Sequence, residues 1–309
     1  MPEGVDAPSV VLITVTYQSA GFIAEWADSV RRLGYPNLRV IVVDSASTDG
    51  TPKAVARLLP HAEIIVASEN LGFARGNNVG LERALAGRCD YVLFMNSDAT
   101  LEEDALERLV ARADARTVTI PRILWSFDHR IVSTHAGDFD WTLGLFRNTF
   151  HGKPDGPDTR RPREVETASF CVALVPRALF DEVGRFDETF FMYYEETDLL
   201  KRARERGFRI RYVPDAVAHH RESGSSGGGW MTPFKLYYAT RNRLYLVRKH
   251  RRSRLRYGWF TLYFWAGRLP LALRFLLRGE RLMLFAMARG VADYYRGRMG
   301  RTLQVSDFC

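Results

Sequence analysis

Cysteine is scarce in this 309-residue chain: Cys89, Cys171 and Cys309 are the only three, and their spacing pairs none of them. Neither a disulfide framework nor a cysteine-held zinc site is indicated, and a reducing compartment fits best. Long uncharged apolar runs are missing too. The most apolar stretches, Tyr257 to Leu277 and Leu282 to Tyr295, are interrupted by Arg268, Arg274 and Arg289. No uncharged run reaches about 18 residues, so a spanning helix is not expected. Met1 to Ser9 offers neither a basic start nor an apolar segment, so no signal peptide is expected. Acids are nearly absent from one region. Between Arg241 and Arg301, sixteen Arg/Lys meet only Glu280 and Asp293, a local charge of +14, whereas the whole chain is +8 and its remainder therefore near −6. Such a basic region can meet an anionic membrane surface or nucleic acid.

Core-forming material is plentiful. With 46 % apolar and 26 % charged residues the composition is that of a folded globular protein. Apolar runs Ser9 to Thr16, Leu38 to Val43, Ala62 to Ala67 and Tyr91 to Met95 read as strands buried on both faces. The stretches between them carry helical patterns, for example Phe22, Ile23, Trp26, Val30 and Leu33 along one face. Strands alternating with helices at this spacing indicate an α/β, doubly wound, mostly parallel (Rossmann-like) sheet. Each strand runs into a polar loop, at the edge where ligands of such sheets collect. The fourth strand ends at Asn96-Ser97-Asp98, where Asp98 is equally suited to cap the next helix or to hold a hard divalent cation. The glycines of Asn70 to Asn78 permit close backbone approach to a ligand at a helix N-terminus.

The second half is less regular. Residues 126 to 163 read as a long loop with short strand pieces, Glu164 to Val175 as strand, and Pro176 as the start of a helix. Asp187, Glu188, Glu195 and Glu196 then flank the aromatic block Phe190-Phe191-Met192-Tyr193-Tyr194. Acids at a helix start complement its dipole, which accounts in part for Asp198. Large aromatics shed water, however, and raise the basicity of a carboxylate beside them. A strand from Arg209 to Val213 precedes His219-His220, a tandem pair with even odds between a structural and a site role. Ser223 to Gly229 is Ser/Gly-rich and suited to a moving lid. Beyond it, basic amphipathic helices with Trp259, Phe260, Phe264 and Trp265 are expected to lie on a membrane surface. Because the charges sit among apolar stretches, no nucleic-acid partner is expected.

Taken in order, these motifs resemble the inverting family 2 glycosyltransferases of the GT-A fold, in particular bacterial rhamnosyltransferase-like members. The similar segments are Val15-Thr16-Tyr17, Val42 to Thr51, Asn70 to Asn78, Asn96-Ser97-Asp98 and Gly184 through Asp198, with a looser likeness over Gly290 to Gly300. Ser97 stands where the family carries proline, and Glu195-Glu196 where it carries Glu-Asp. The resemblance implies a metal-dependent, inverting transfer of rhamnose or a similar sugar in cell-surface polysaccharide synthesis. The donor would be dTDP- or UDP-linked and the acceptor a glycan or a polyprenyl-linked glycan.

The resemblance also implies residue roles. Glu196 would be the base, Glu195 would orient the acceptor, and Asp198 would lie on the acceptor side. Asp98 with His219 would hold Mn²⁺ or Mg²⁺. Thr16, Tyr17, Asp44, Asn70, Gly72, Arg75, Asn77, Asn96 and Ser97 would bind the nucleotide sugar. On this reading residues 1–229 form the catalytic domain, with a nucleotide-sugar half near 9–121 and an acceptor half near 122–229. Residues 230–309 form the membrane-associating region, on the cytoplasmic face of the cell membrane. Two alternatives stand beside it: a tail serving as a helical cap or homo-oligomer contact, and a non-catalytic nucleotide- or polysaccharide-binding protein on the same scaffold.

Overall fold

The structure, a computed structural model, describes residues 7–147, 149–221 and 231–308. Strands β1 (Val10–Thr16), β2 (Leu38–Asp44), β3 (Glu63–Val66) and β4 (Tyr91–Met95) pair in parallel in the order β3-β2-β1-β4. Their crossovers are α1 (Ile23–Arg32), α2 (Thr51–Leu58) and α3 (Gly72–Leu85). The apolar run of β1 serves two cores by simple alternation. Val11 and Ile13 join Leu81 and Ala84 of α3 on one face, while Val10 and Leu12 join Trp26 and Val30 of α1 on the other. The continuous hydrophobicity read from the sequence is thus burial on both sides of the sheet.

The rest of the sheet is built from β5 (Ala99–Leu101), β6 (Thr117–Trp125), β9 (Arg163–Val165), β11 (Val172–Pro176) and β12 (Arg209–His220). They extend the order as β4-β11-β6-β12-β5, with β9 also on β12. Strands β11, β5 and β9 run antiparallel to their neighbours, whereas β6 and β12 pair in parallel. A separate three-stranded sheet contains β7 (Ala136–Asp140), β8 (Leu145–Arg147) and β10 (Thr167–Ala168). The helices of this half are α4 (Ala105–Val110), α5 (Arg177–Val183) and α6 (Glu195–Glu205).

Two expectations change here. The single strand expected over Glu164 to Val175 is three short ones. The strand expected to stop at Val213 continues to His220 after a register shift between Val213 and Val217. Pro121 lies inside β6 opposite that irregularity, and β11 pairs with β6 only at Thr119, so its missing N–H leaves no ladder broken. The Ser/Gly stretch expected as a lid lies outside the described residues.

Three helices complete the chain: α7 (Pro233–Lys249), α8 (Arg254–Leu277) and α9 (Arg281–Tyr295). The first is no surface appendage. Leu236, Tyr237, Tyr238, Arg241, Asn242 and Leu244 are buried along it. Helix α9 crosses it so closely that a Cβ on Gly290 would stand 2.7 Å from the Tyr237 carbonyl. Within residues 230–309, α7 and α9 are thus packed closely on each other. Helix α8 is the exposed one, with Leu255, Trp259, Leu262, Leu269, Leu273, Leu276 and Leu277 all open to solvent. Among the described residues, no helix is long and apolar enough to cross a membrane.

The glycines of α3 are packing devices. A Cβ on Gly76 would meet Val15 at 2.8 Å, and one on Gly80 would meet Ile13 at 2.5 Å, so the helix lies directly on β1. Gly72, at φ +69°, sits against Phe191, whose carbonyl oxygen would be 2.6 Å from an added Cβ. Gly72→Ala combines a left-handed backbone with that clash and should destabilise the protein by at least about 2 kcal/mol, read as a lowered urea midpoint.

Candidate active site

Three parallel strand ends form the first half of the site. Thr16 ends β1 and Asp44 ends β2; both are wholly buried, and the Thr16 hydroxyl donates to Asp44 at 2.8 Å. The other Asp44 oxygen accepts from the Ser47 amide at 2.8 Å. Gln18 and Ala46, in the loops after these strands, hold left-handed backbones at φ +51° and +60°. Gln18 bridges the loops by bonding Ser47 and Thr48. Ser97, in the turn after β4, shares a hydrogen bond of 3.0 Å with Ser19. Thr16, Tyr17, Asp44, Asn96, Ser97 and Asp98 thus converge on one sheet edge. Tyr17, Asn96 and Asp98 are the partly exposed members.

The segment Asn70 to Asn78 is used differently from its expectation. Asn70 accepts from the Gly72 amide at 2.9 Å, and the buried Asn77 donates to the Phe73 carbonyl at 2.9 Å. The N–H groups of Phe73 and Ala74 at the start of α3 both donate to the Phe191 carbonyl. The first amides of the helix end expected to face phosphates are thus bonded within the protein, and Asn70 and Asn77 each hold the chain locally. Arg75 pairs with Glu69 at 2.9 Å and stands 4.0 Å from Glu188.

The histidine beside Asp98 is His220, not His219. Successive side chains of a strand point to opposite faces, and the pair lies within β12 instead of after it. His220 Nε2 is 3.2 Å from Asp98, while His219 Nε2 is 3.4 Å from Glu102 and its ring 4.4 Å from that of His129. Among the described residues no three His, Cys, Asp or Glu side chains converge as a metal cluster. Asp98 and His220 alone suit a cation that brings its other ligands on a substrate diphosphate.

Strand β11 runs antiparallel to β4, so the residues just before it return to the same edge. Thr167 there meets Thr197 of α6 at 3.3 Å, which brings the N-terminus of α6 alongside. The chain enters α6 through an unusual turn: Phe191, Tyr193 and Tyr194 all have positive φ, at +67°, +68° and +76°. For non-glycine residues each costs of order 1–3 kcal/mol and persists only where the surroundings over-determine it. The surroundings are Asn242 and Arg241 of α7. The Asn242 amide lies 2.9, 2.7 and 3.1 Å from the carbonyls of Phe190, Met192 and Tyr193. The wholly buried Arg241 reaches Phe190, Gly300 and Thr302.

Behind this turn sit Glu195 and Glu196. Each has one buried carboxyl oxygen without a partner. Burial pushes both carboxyls up, Glu195 further because of the Glu196 charge, and Glu196 to about 7. Such a pair can accept a proton near neutral pH. The neighbouring acids are spent otherwise. Asp187 accepts from Thr189, Tyr245 and Lys249, and Glu188 from Asn78. Asp198, expected on the acceptor side, is wholly buried and holds His250 at 2.7 Å, Lys249 at 2.7 Å and Arg202 at 2.9 Å. Burial opposes its charge, yet His250, Arg202 and Lys249 hold it down at about 2.

Several residues of this architecture are illegible locally. His220 could be separated from His219 only by strand register, and Arg241-Asn242 read as part of a basic helix. A cavity of about 680 Å³ also opens at the other end of α6, lined by Trp141, Lys201, Arg204, His250 and Arg251, away from the strand-end edge.

The model of glycosyl transferase family 2 matches residues 11–184, more than half of the chain. N-acetylglucosaminyl-diphospho-decaprenol L-rhamnosyltransferase of Mycobacterium tuberculosis is 27% identical over 238 residues, 70% of this chain and 77% of its own length. The dTDP-rhamnosyl transferase RfbF of Shigella flexneri is 21% identical, over 72% of this chain and 74% of its own. Among solved structures, the mannosyltransferase PcManGT of Pyrobaculum calidifontis, in complex with GDP-Man and Mn²⁺, aligns with a TM-score of 0.56 at 18% identity. That alignment covers 95% of this chain and 88% of that one. TarS of S. aureus, residues 1–349 with UDP-GlcNAc, aligns at 0.54 and 16% identity, over 92% and 80%. Both likenesses are of fold, and the fold is GT-A.

The Asp198 cluster gives a measurable expectation. Asp198→Asn removes the carboxylate shared by His250, Lys249 and Arg202 and should cost about 2–3 kcal/mol at neutral pH. A carboxyl depressed to about 2 stabilises above its unfolded value and loses that contribution as pH falls through 2. The gap between variant and native protein in urea denaturation should therefore narrow between about pH 4 and 2.

Proposed function

The chain belongs to glycosyl transferase family 2, and from that premise we propose that it is an inverting, metal-dependent rhamnosyltransferase acting on a lipid-linked glycan. The observation that carries the reading is the Glu195–Glu196 pair, with unpartnered buried oxygens beside the edge where Asp98 stands. A hydroxyl of the acceptor glycan would give its proton to Glu196 as its oxygen bonds the anomeric carbon. The bond from that carbon to the donor diphosphate breaks on the opposite face. Glu195, the more deeply buried, would hold the acceptor hydroxyl in line. Tyr17 and the Asp44 loop would receive the pyrimidine nucleotide, dTDP or UDP, because Asp44 carries acceptors suited to an imide N–H. Asp98 and His220 would hold Mn²⁺ or Mg²⁺, which when bound neutralises charge on the departing diphosphate. The M. tuberculosis and S. flexneri relatives support rhamnose as the sugar, and the former a diphosphate-linked lipid as the carrier.

A screen of nucleotide sugars with Glu196→Gln beside the native chain tests this. The variant should lose about 10²–10⁴ in turnover while binding the donor as before. A base must be unprotonated, and this pair's ionisation is raised by burial. Native kcat/KM should therefore climb with pH through about 7 and level off above, and the rise belongs to the coupled pair. A larger loss from Glu195→Gln would exchange the two roles.

Membrane association rests on α8. Its exposed face carries Trp259, Leu262, Leu269 and Leu273, and Arg254, Arg256, Arg274 and Arg278 are exposed around it. Each basic residue at an anionic surface contributes roughly 1 kcal/mol, and the apolar face adds burial that salt does not screen. On the cytoplasmic face this would bring the site to a lipid-linked acceptor. Removing everything from Arg251 onward would take α9 out of the core, so substitution is the cleaner change. Replacing Trp259, Leu262, Leu269 and Leu273 by serine should leave the fold intact, weaken co-sedimentation with anionic vesicles at low salt and abolish it as salt is raised, where the native chain keeps its apolar contribution.

A further inference from the structure

Among the described residues, other arginines largely withdrawn from solvent have partners for their charge or their N–H groups, although Arg39 and Arg122 also keep a buried Nε without one. Arg122 pairs with Asp155 at 2.7 Å, Arg202 with Asp198, and Arg241 with three oxygens. Arg243 of α7 and Arg268 of α8 do not follow that rule. Arg243 is 8% exposed and makes one hydrogen bond, from Nη2 to the Leu143 carbonyl at 2.6 Å. Among the described residues Arg268 has no hydrogen bond, neither guanidinium meets a carboxylate, and both Nε atoms are buried without a partner. They rest on one ring, with Phe264 at 5.7 Å from Arg243 and 5.2 Å from Arg268. Burial lowers both pKa values, and Arg268 is lowered further by Arg243. Stacking on an aromatic ring offsets only part of the cost of withdrawing a guanidinium from water without a counter-charge.

Position says which anion. Arg243 follows Asn242, whose amide holds the Tyr193 carbonyl at 3.1 Å, and bonds Leu143 in the turn before Phe146, whose ring stacks on Tyr194 at 5.9 Å. The two guanidinium groups therefore lie by the turn that enters α6 just before the glutamate pair. Arg268 also falls one helical turn after Phe264, at the border between the buried face of α8 (Phe260, Phe264, Phe275) and its exposed face (Leu262, Leu269, Leu273). A ligand here meets two planar, fork-shaped donors suited to phosphate oxygens, and an apolar helix face directly beside them.

We propose that Arg243 and Arg268 bind the diphosphate of a lipid-linked acceptor, with the lipid chain along the exposed face of α8. The inference rests on the glycosyltransferase reading above and names the acceptor's anchoring site within it. The shared chemistry is a phosphate ester on an apolar chain, so a bilayer headgroup is the competing source.

Farnesyl diphosphate serves as the soluble probe, measured by calorimetry on the full chain, with UDP and phosphatidylglycerol vesicles as separate arms. The native chain should bind farnesyl diphosphate, and UDP should not displace it. Arg268→Gln should weaken it about tenfold or more, as expected for loss of charge-assisted hydrogen bonds. Arg268→Lys should recover part of the loss. UDP affinity should be the same in all three proteins; failure of both UDP and dTDP to bind the native chain would count against the proposed transferase reading and is read independently. Arg268 is the partly exposed member, so its variants should melt like the native chain even if Arg243→Gln does not fold. Equal farnesyl diphosphate affinity in native chain and Arg268→Gln overturns the proposal. So does displacement by UDP. Loss of vesicle binding alone, with farnesyl diphosphate unaffected, overturns it in favour of the bilayer headgroup.

Discussion

The contact on which the rest depends is the grip of Asn242 and Arg241 on the backbone of Phe190 to Tyr193. One side-chain amide within 3.1 Å of three carbonyls cannot be imitated by a local turn, because its partners are some fifty residues away in the chain. That grip offsets three left-handed, non-glycine residues. The turn it holds has two outputs. Forward along the chain it starts α6 with Glu195 and Glu196 in place. Backward, the Phe191 carbonyl takes the first amides of α3, so the turn before α6 is tied to the β1–β4 part of the fold at one peptide unit. Gly72 lacks a side chain at the point where the two would otherwise collide.

Within one turn of α6 the protein prepares carboxylates of opposite character. Asp198 faces His250, Lys249 and Arg202 and stays ionised far below neutrality. Glu195 and Glu196 face aromatic rings and each other, and their ionisation is displaced upward. Environments that push neighbouring acids apart are how one scaffold separates structural from chemical roles. Two of the cations that hold Asp198, Lys249 and His250, come from the end of α7, the same helix that grips the turn. Helix α7 therefore governs both the position of the pair and the charge around it. The basic excess of the C-terminal region is in this sense divided. Part is consumed inside the fold, by Arg241, Lys249 and His250, and part is displayed on α8.

Much of this was legible in the amino-acid order. Apolar runs of strand length ending in polar loops dictate a doubly wound sheet, because such runs are stable only when both faces are covered. Alternation with amphipathic helices supplies that cover, and the family resemblance follows from the order of the motifs. Tyr17, Asp44, Asn96 and Asp98 were placed at a shared edge by the rule that parallel strands end together. Glutamates bordered by aromatics announced a carboxyl pair out of water.

Tertiary structure alone decided the rest. Which of two adjacent histidines meets Asp98 depends on the register of β12 across its irregularity, and a one-residue change sends each to the opposite face. Whether the glycines of Asn70 to Asn78 admit a ligand or a neighbouring element depends on what packs there; Val15, Ile13 and Phe191 do. Asp198 looks like any acid at a helix start until the end of α7 brings Lys249 and His250 to it, beside Arg202 of its own helix. Arg243 and Arg268 look like interruptions of an apolar pattern until the fold sets them on one ring without a counter-charge. In each case the sequence by itself determined the residue's chemistry and its local element. The partner came from long-range packing, which local periodicity does not encode.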